Sequence, residues 1–164
     1  MPLLILSLGS NVDAQNNIAL AVGSLRKEFG ELTLSMVYES EAIGFSGDNF
    51  LNLTLATNTD RPLEQIIDLL KELEDSLGRD RSQARFSDRT IDIDILIYGD
   101  ERGTEYGLSL PREEILQNAF VLRPLAETHP ELQHPETGQS YGELWEQFDQ
   151  ESQKLWATAI QFES

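Results

Sequence analysis

Cysteine is absent from this sequence, and basic residues are scarce: 12 lysines and arginines stand against 29 aspartates and glutamates, a net charge of −17. Without cysteine the chain can form no disulfide, thiolate metal site or cysteine nucleophile. Nucleic acids and anionic membranes are held mainly by basic side chains, so the negative charge argues against both as partners. An anionic ligand must therefore bind at a locally positive site.

Long apolar runs are absent too, since no segment approaches the ~20 apolar residues of a membrane-spanning helix. The apolar opening over residues 2–8 lacks a basic flank and stops at Gly9-Ser10-Asn11. This pattern predicts a buried strand entering a turn rather than a signal peptide, and we expect a cytoplasmic protein. The 164 residues contain neither a repeat nor a Gly/Ser linker, which predicts a single domain over residues 1–164.

Hydrophobic periodicity predicts the order strand, helix, strand, strand, helix, strand. Helical spacing of apolar residues marks 18–29 and 62–77, and alternation marks strands over 2–8, 32–40, 50–56 and 91–98. This order is the ferredoxin-like βαββαβ plan, an α+β fold with helices packed on an antiparallel sheet. Weaker patterns predict a C-terminal helical extension, with short helices over 113–117 and 119–128 and a longer one over 141–159.

The last predicted strand carries a pair of acidic side chains. Strand side chains alternate, so Asp92 and Asp94 share a face with Leu96 and Tyr98, ~7 Å apart along the strand. Two carboxylates so placed suit hard divalent cations, although a charged strand face is often only a solvated surface. The opposite face is predicted to hold Ile91, Ile93, Ile95 and Ile97.

An island of positive charge precedes this strand. Four of the 12 basic residues fall within positions 79–89, namely Arg79, Arg81, Arg85 and Arg89. Guanidinium groups beside a carboxylate pair supply the components of phosphoryl transfer, whereas a plain solvated loop is the alternative. No P-loop spacing occurs in the sequence, so a nucleotide would be held by other means.

These motifs together resemble the 6-hydroxymethyl-7,8-dihydropterin pyrophosphokinase family of folate biosynthesis. The likeness runs in the same order from about residue 3 to residue 144. It is carried by Leu8-Gly9-Ser10-Asn11, Phe50-Leu51-Asn52, Glu74 with Gly78-Arg79-Asp80-Arg81, and Arg89-Thr90-Ile91-Asp92-Ile93-Asp94-Ile95-Leu96.

The resemblance implies an enzyme that moves the β,γ-pyrophosphate of ATP to the hydroxymethyl oxygen of the pterin and releases AMP. It implies two Mg²⁺ ions on Asp92 and Asp94, and catalytic roles for these two residues with Arg79 and Arg89. We expect only small-molecule partners and a monomer or weak dimer. The residues implied for ATP are Lys71, Glu74, Arg79, Arg81, Arg89, Ile95 and Arg112, and those implied for the pterin are Ser40, Ile43, Phe50, Asn52, Phe86 and Phe120.

Several positions depart from the pattern that the family usually shows. Phe86-Ser87-Asp88 replaces Trp-Gly-Pro, Glu41-Ala42 replaces a proline-rich turn, and Lys71, Arg112 and Asn118 replace glutamine, histidine and arginine. The changes at Asp88 and Asn118 weaken the attraction for phosphate. The alternative is thus a divergent relative that binds pterin or nucleotide with weak or no turnover. An RNA-binding ferredoxin-like module needs a basic sheet face, which the two aspartates argue against.

Overall fold

An antiparallel sheet forms the centre of the molecule, with helices on both faces. The computed structural model describes residues 1–42, 47–78 and 90–162. Within these residues the elements are β1 (Leu3–Ser10), α1 (Ala14–Phe29), β2 (Thr33–Leu34), β3 (Tyr38–Ser40), β4 (Phe50–Asn58), α2 (Leu63–Ser76), β5 (Asp92–Tyr98), β6 (Gly103–Glu105), β7 (Leu108–Leu110), α3 (Glu114–Gln117), α4 (Ala119–Thr128), α5 (Tyr141–Gln147) and β8 (Leu155–Ala157).

The main sheet has the order β5-β1-β4-β3-β8, and β2 also pairs with β4. β1 lies between β5 and β4 and is antiparallel to both. The prediction of an antiparallel sheet with helices packed on it is therefore confirmed. No helix in the described part of the chain combines the length and apolar character needed to cross a bilayer.

One face of the sheet is aliphatic and packs under α1 and α2. Ile18, Val22 and Leu25 of α1 are buried against the leucines of β1 and β4, as their helical spacing predicts. α1 ends where Gly30 adopts a φ of 82° and its N–H donates to the carbonyl of Arg26 at 2.8 Å. We call this surface the core face.

The opposite face has a second apolar cluster under α4 and α5, which we call the site face because of the side chains described below. Ile5 and Ala56 of the sheet pack there against Leu122 and Leu125 of α4 and Tyr141 of α5. This cluster covers only one end of the face, and polar side chains occupy the rest.

A β-bulge changes the predicted alternation of β5. Leu6 lies opposite Ile95 and Ile5 lies opposite Ile97, so Leu96 is an extra residue on β5. The bulge reverses the alternation beyond it, placing Ile97 on the site face and Tyr98 in the core-face cluster. The predictions that Ile97 lies with Ile91 to Ile95, and Tyr98 with the aspartates, are therefore wrong.

The predicted strand over 32–40 is two short strands with a break between them. Ser35 stands at the break, where its backbone N–H donates to the carbonyl of Thr54 and its Oγ accepts from the Thr54 N–H, both at 2.9 Å. The Ser35 side chain therefore accepts from the Thr54 N–H, which would donate to a backbone carbonyl in regular strand pairing.

The C-terminal region also differs from its prediction. The short helices at 113–117 and 119–128 are confirmed as α3 and α4, but a single helix over 141–159 is wrong. α5 ends at Gln147, and the following chain returns as β8 to pair with the free edge of β3. Pairing across the sheet leaves no trace in local periodicity, so sequence spacing could not reveal β8.

The hairpin of β6 and β7 was not predicted either. Tyr106 and Gly107 form its two-residue turn with φ values of 51° and 80°. This turn normally favours Asn-Gly or Asp-Gly, and a tyrosine at its first position gives no signal.

Candidate active site

The acidic pair of β5 lies on the site face, as predicted. Asp94 is opposite Ser7 of β1, and Asp92 is opposite Gly9. Ile93 between them points into the core face with 5% of its surface exposed. Alternation on one strand therefore buries the isoleucine and presents both carboxylates together.

The surroundings of Asp94 disfavour the negative charge of its carboxylate. Burial and the neighbouring Asp92 raise the pKa of the Asp94 carboxyl well above its usual range, and Arg112 acts in the opposite direction. Nη2 of Arg112 is 3.4 Å from Oδ1 of Asp94. One guanidinium does not offset the pair, so a bound cation would relieve the repulsion.

Arg112 is held by groups on three sides. Its backbone N–H donates to the Leu96 carbonyl at 2.9 Å, and its Nε donates to the carboxylate of Glu114. The side chain therefore stands between Glu114 and Asp94. Arg112 is recognisable from the family pattern, whereas no motif singles out Glu114.

A cleft of about 190 Å³ opens along the edge of β5, between that strand and α2. Glu74 of α2 is buried, and its Oε2 accepts from the Ile93 N–H at 2.8 Å, which fixes the helix against the strand. The described residues that the resemblance implies for ATP and metal all line this cleft: Lys71, Glu74, Asp92, Asp94, Ile95 and Arg112.

A second polar group lies across the sheet from the aspartates. Asn52 of β4 is buried, and its Nδ2 donates to Oγ of Ser40 at 3.0 Å. Phe50 is directly opposite Ser40, so the three side chains share the site face. Three of the residues implied for the pterin are thereby brought together.

Gly9 lies between Asp92 on β5 and Asn52 on β4, in one cross-strand row. Two strand spacings put Asp92 and Asn52 roughly 10 Å apart. A Cβ at Gly9 would be 2.9 Å from Oδ1 of Asn52, a distance that requires something to move. The absent side chain therefore keeps the path from amide to carboxylates clear.

Phe120 is carried by α4, the helix that packs over the site face. α4 is joined to β3 through Tyr38, whose hydroxyl donates to Glu127 and whose ring lies 4.8 Å from the Arg123 guanidinium carbon. Tyr38 is opposite Asn52. Phe120 is partly buried and packs against the second apolar cluster, on the face of the sheet that carries Asn52.

Several expected residues fall outside the part of the chain that the structure describes. These are Ile43, which precedes β4, and the arginine-rich segment with Arg79, Arg81, Phe86 and Arg89. Their assignments stay predictions.

Comparison with known proteins identifies the family. The model of the 7,8-dihydro-6-hydroxymethylpterin-pyrophosphokinase (HPPK) family matches residues 5–130. The chain belongs to the HPPK family. The match begins in β1 and ends just beyond α4, so it spans both the carboxylate pair and the Asn52 side of the sheet.

Two relatives are HPPK enzymes of comparable length. The 2-amino-4-hydroxy-6-hydroxymethyldihydropteridine pyrophosphokinase of Aquifex aeolicus is 35% identical over 137 residues, covering 82% of this chain and 85% of the relative. The protein of that name from Bacillus subtilis is 30% identical over 150 residues, covering 87% and 89%. A folate synthesis bifunctional protein of Chlamydia caviae is 32% identical, and the alignment covers 83% of this chain but 32% of the relative.

Solved structures show the same fold at low identity. A crystal structure of an HPPK-DHPS in complex with substrates has a TM-score of 0.70 at 15% identity, covering 92% of this chain and 44% of that chain. The Plasmodium falciparum HPPK-DHPS with pterin and p-hydroxybenzoate has a TM-score of 0.67 at 16% identity, covering 89% and 43%. The HPPK-DHPS structures therefore share the fold of about nine-tenths of this chain.

The carboxylate pair fits a hard divalent cation such as Mg²⁺. Among the described residues no three histidines, aspartates or glutamates group as a complete metal cage. Mg²⁺ is usually held by one or two carboxylates together with waters and substrate phosphates, so a pair of aspartates is the appropriate donor set. The repulsion at Asp94 is the observation that supports this fit.

Proposed function

We propose that this chain transfers the β,γ-pyrophosphate of ATP to the hydroxymethyl oxygen of 6-hydroxymethyl-7,8-dihydropterin and releases AMP. Membership of the HPPK family supports this reaction. The observation that carries it is the cross-strand row of Asp92, Gly9 and Asn52, which joins a metal-binding pair to a polar amide without an intervening side chain. One domain of ferredoxin-like plan, extended at its C-terminus by helices and β8, accounts for the arrangement.

Asp92 and Asp94 would hold two Mg²⁺ ions together with the triphosphate. Bound Mg²⁺ neutralises phosphate charge and favours attack by the nearby hydroxyl. Lys71 and Arg112 line the same cleft and would supply positive charge to the phosphates. In this proposal Arg112 moves from Asp94 towards the triphosphate while Glu114 continues to orient it.

The arginine-rich segment would complete the phosphate site. Arg89 precedes Asp92 by three positions, and Arg79 and Arg81 follow α2 directly. The catalytic roles of Arg79 and Arg89 rest on the family pattern and on the need to offset triphosphate charge in a protein of net charge −17.

The pterin would lie above Asn52 between two aromatic side chains. A planar ring with a polar rim needs apolar faces and hydrogen-bonding groups at its edge. Phe50 and Phe120 would contact the faces, Asn52 would bind the rim, and Ser40 would orient the Asn52 amide. Ile43 and Phe86 are proposed to line the same pocket.

The cellular location, assembly state and partners of the enzyme are proposed from its composition and its family resemblance. We infer a cytoplasmic monomer or weak dimer that acts on small molecules only. Light scattering after gel filtration tests the assembly state.

The decisive experiment measures AMP release. Purified protein, ATP and Mg²⁺ are incubated with and without the hydroxymethyl pterin, and AMP is quantified by chromatography. Pterin-dependent AMP is expected. AMP equal to that of the pterin-free control would contradict the proposal.

A binding protein with little turnover is the second candidate. It is favoured by the engagement of Arg112 with two carboxylates, which withholds a positive charge from phosphate. Calorimetry that detects pterin or nucleotide binding without AMP release would establish it. In that case the double variant Asp88→Pro, Asn118→Arg should restore turnover, and a failed rescue would count against this candidate.

A further inference from the structure

Gln153 binds the backbone on both sides of Asn118, the N-cap residue of α4. Its Oε1 accepts from the Ala119 N–H, and its Nε2 donates to the Gln117 carbonyl, both at 2.8 Å. The side chain of Asn118, the N-cap position, makes no capping bond to the helix. Gln153, from a distant part of the chain, therefore supplies the cap that the local sequence lacks.

The same short segment is also part of the sheet. Leu155 of β8 lies opposite Ser40 of β3, and Ala157 lies opposite Tyr38. We call residues 153–157 the clamp, because they bind α4 through a side chain and β3 through the backbone.

The two partners of the clamp carry opposite walls of the proposed pterin pocket. β3 carries Ser40, which orients Asn52, and α4 carries Phe120 immediately after the bound Ala119. The clamp lies beyond residue 130, where the match to the HPPK family model ends. Nothing in the family pattern assigns it a role.

We propose that Gln153 is a positioning residue for the pterin, and that the clamp fixes the separation between the Asn52 wall and the Phe120 wall. The inference rests on the proposed function. A flat ligand held between two walls is sensitive to their spacing, and small misplacement lowers both affinity and rate. ATP binding is expected to be less sensitive, because its cleft is at β5 and β8 is at the other end of the sheet. The link from Gln153 to that cleft is indirect, through the Gln117 carbonyl of α3, the helix that carries Glu114 beside Arg112.

The test compares Gln153→Ala with a matched control in the same segment. Gln150 also donates from its side chain to a backbone carbonyl, that of Trp145 at 2.9 Å, which belongs to α5 rather than to β3 or α4. For Gln153→Ala we expect the KM for pterin to rise about five- to tenfold while the KM for ATP changes less than about twofold. For Gln150→Ala both constants should stay at the wild-type value.

A third variant separates positioning from simple loss of stability. Gln153→Glu retains an acceptor for the Ala119 N–H and loses the donor to the Gln117 carbonyl, so its KM for pterin should be intermediate. Pterin affinity is measured in parallel by calorimetry. Amide hydrogen exchange of residues 117–122 should accelerate in Gln153→Ala and not in Gln150→Ala.

The outcomes are distinct. If the constants for pterin and ATP deteriorate equally, or if exchange accelerates while pterin affinity is unchanged, the proposal is overturned. If wild-type protein releases no AMP with pterin, the proposed function fails. Calorimetry and exchange then still decide whether Gln153 governs pterin binding, and loss of affinity in Gln153→Ala alone would support that role.

Discussion

On the core face, β1, β4 and β5 present leucines and isoleucines that pack under α1 and α2, whereas on the site face the same strands present Ser7, Gly9, Asn52, Thr54 and the two aspartates. Of two adjacent residues on one strand, one thus packs in the core and the other presents a polar group on the site face. The Ile93 side chain packs in the core-face cluster, while the carboxylates of Asp92 and Asp94 lie on the site face. Stability and chemistry are therefore separable by single substitutions on the same strand.

The site face retains polar groups at a cost in electrostatic repulsion. Two carboxylates without a cation oppose each other, and the raised pKa of Asp94 reflects that cost. The described part of the core face consists mainly of leucine and isoleucine side chains, whose burial is expected to supply most of the stability. The predictions below test this division of roles.

The largest effect is expected from Asp94→Asn on the site face. Loss of a metal-binding carboxylate should lower kcat by about a thousandfold or more. Stability should be equal or higher, because a crowded charge is removed and Arg112 keeps Glu114. AMP release and thermal unfolding are measured together. Asp100→Asn, an exposed aspartate in the turn after β5, is the control, and full activity in Asp94→Asn would contradict the metal role.

Ile93→Ala should lower stability and leave kcat nearly unchanged, the reverse of the result expected for Asp94→Asn. Loss of a buried isoleucine side chain is expected to lower the free energy of unfolding by about 2–4 kcal/mol. Measured well below the unfolding midpoint, kcat should stay within a few-fold of wild type. Urea unfolding measures the free energy of unfolding. Leu20→Ala on the exposed side of α1 should change it by less than about 0.5 kcal/mol.

Gly9→Ala tests the clear path across the site face. The new Cβ would be 2.9 Å from Oδ1 of Asn52, so the amide must move and the KM for pterin should rise about tenfold. The KM for ATP should change little. Gly23→Ala in α1 meets no atom within 4 Å and should stabilise the helix by up to about 1 kcal/mol. An unchanged pterin KM in Gly9→Ala would refute this path.

The smallest effect expected is the pH dependence of stability that comes from His134, which contacts Tyr141 of α5. His134 is buried, makes an edge contact with Tyr141, and its Nδ1 accepts from the Glu136 N–H, so the neutral ring is preferred. Burial lowers the pKa of His134 in the folded state. The unfolded chain therefore binds the proton first, and the contribution of His134 to stability should be complete above about pH 6.5 and be lost as the pH drops below it.

Urea unfolding at several pH values measures this dependence. His134→Asn keeps an acceptor near the Glu136 N–H without a titrating ring, so its stability should vary less below pH 6.5 than that of wild type. An identical pH dependence in the two proteins would place the effect elsewhere.

Features set by local chemistry could be predicted from the sequence. Apolar spacing marked α1, α2 and α4, and alternation placed Asp92 and Asp94 on one face. The roles of these and the other site residues stay predictions, although the structure brings Lys71, Glu74, Ile95 and Arg112 to the same cleft.

Features set by partners distant in sequence could not be predicted. The bulge at Leu96 arises from the pairing of β5 with β1, and β8 arises from the open edge of β3. Gln153 and Glu114 act through contacts that no motif encodes. In each case the role of the residue depends on a contact with a segment that is distant in the sequence.

The position of β1 has a consequence for the order of folding. β1 precedes both of its partner strands, and the second partner, β5, comes much later in the chain, after β4 and α2. Pairings between segments far apart in sequence form slowly, because a long loop must close first. We therefore expect the β1–β4 pair and its helices to assemble early, with the aspartate strand docking last. The acidic pair would then be packed against the sheet only after the hydrophobic core has formed.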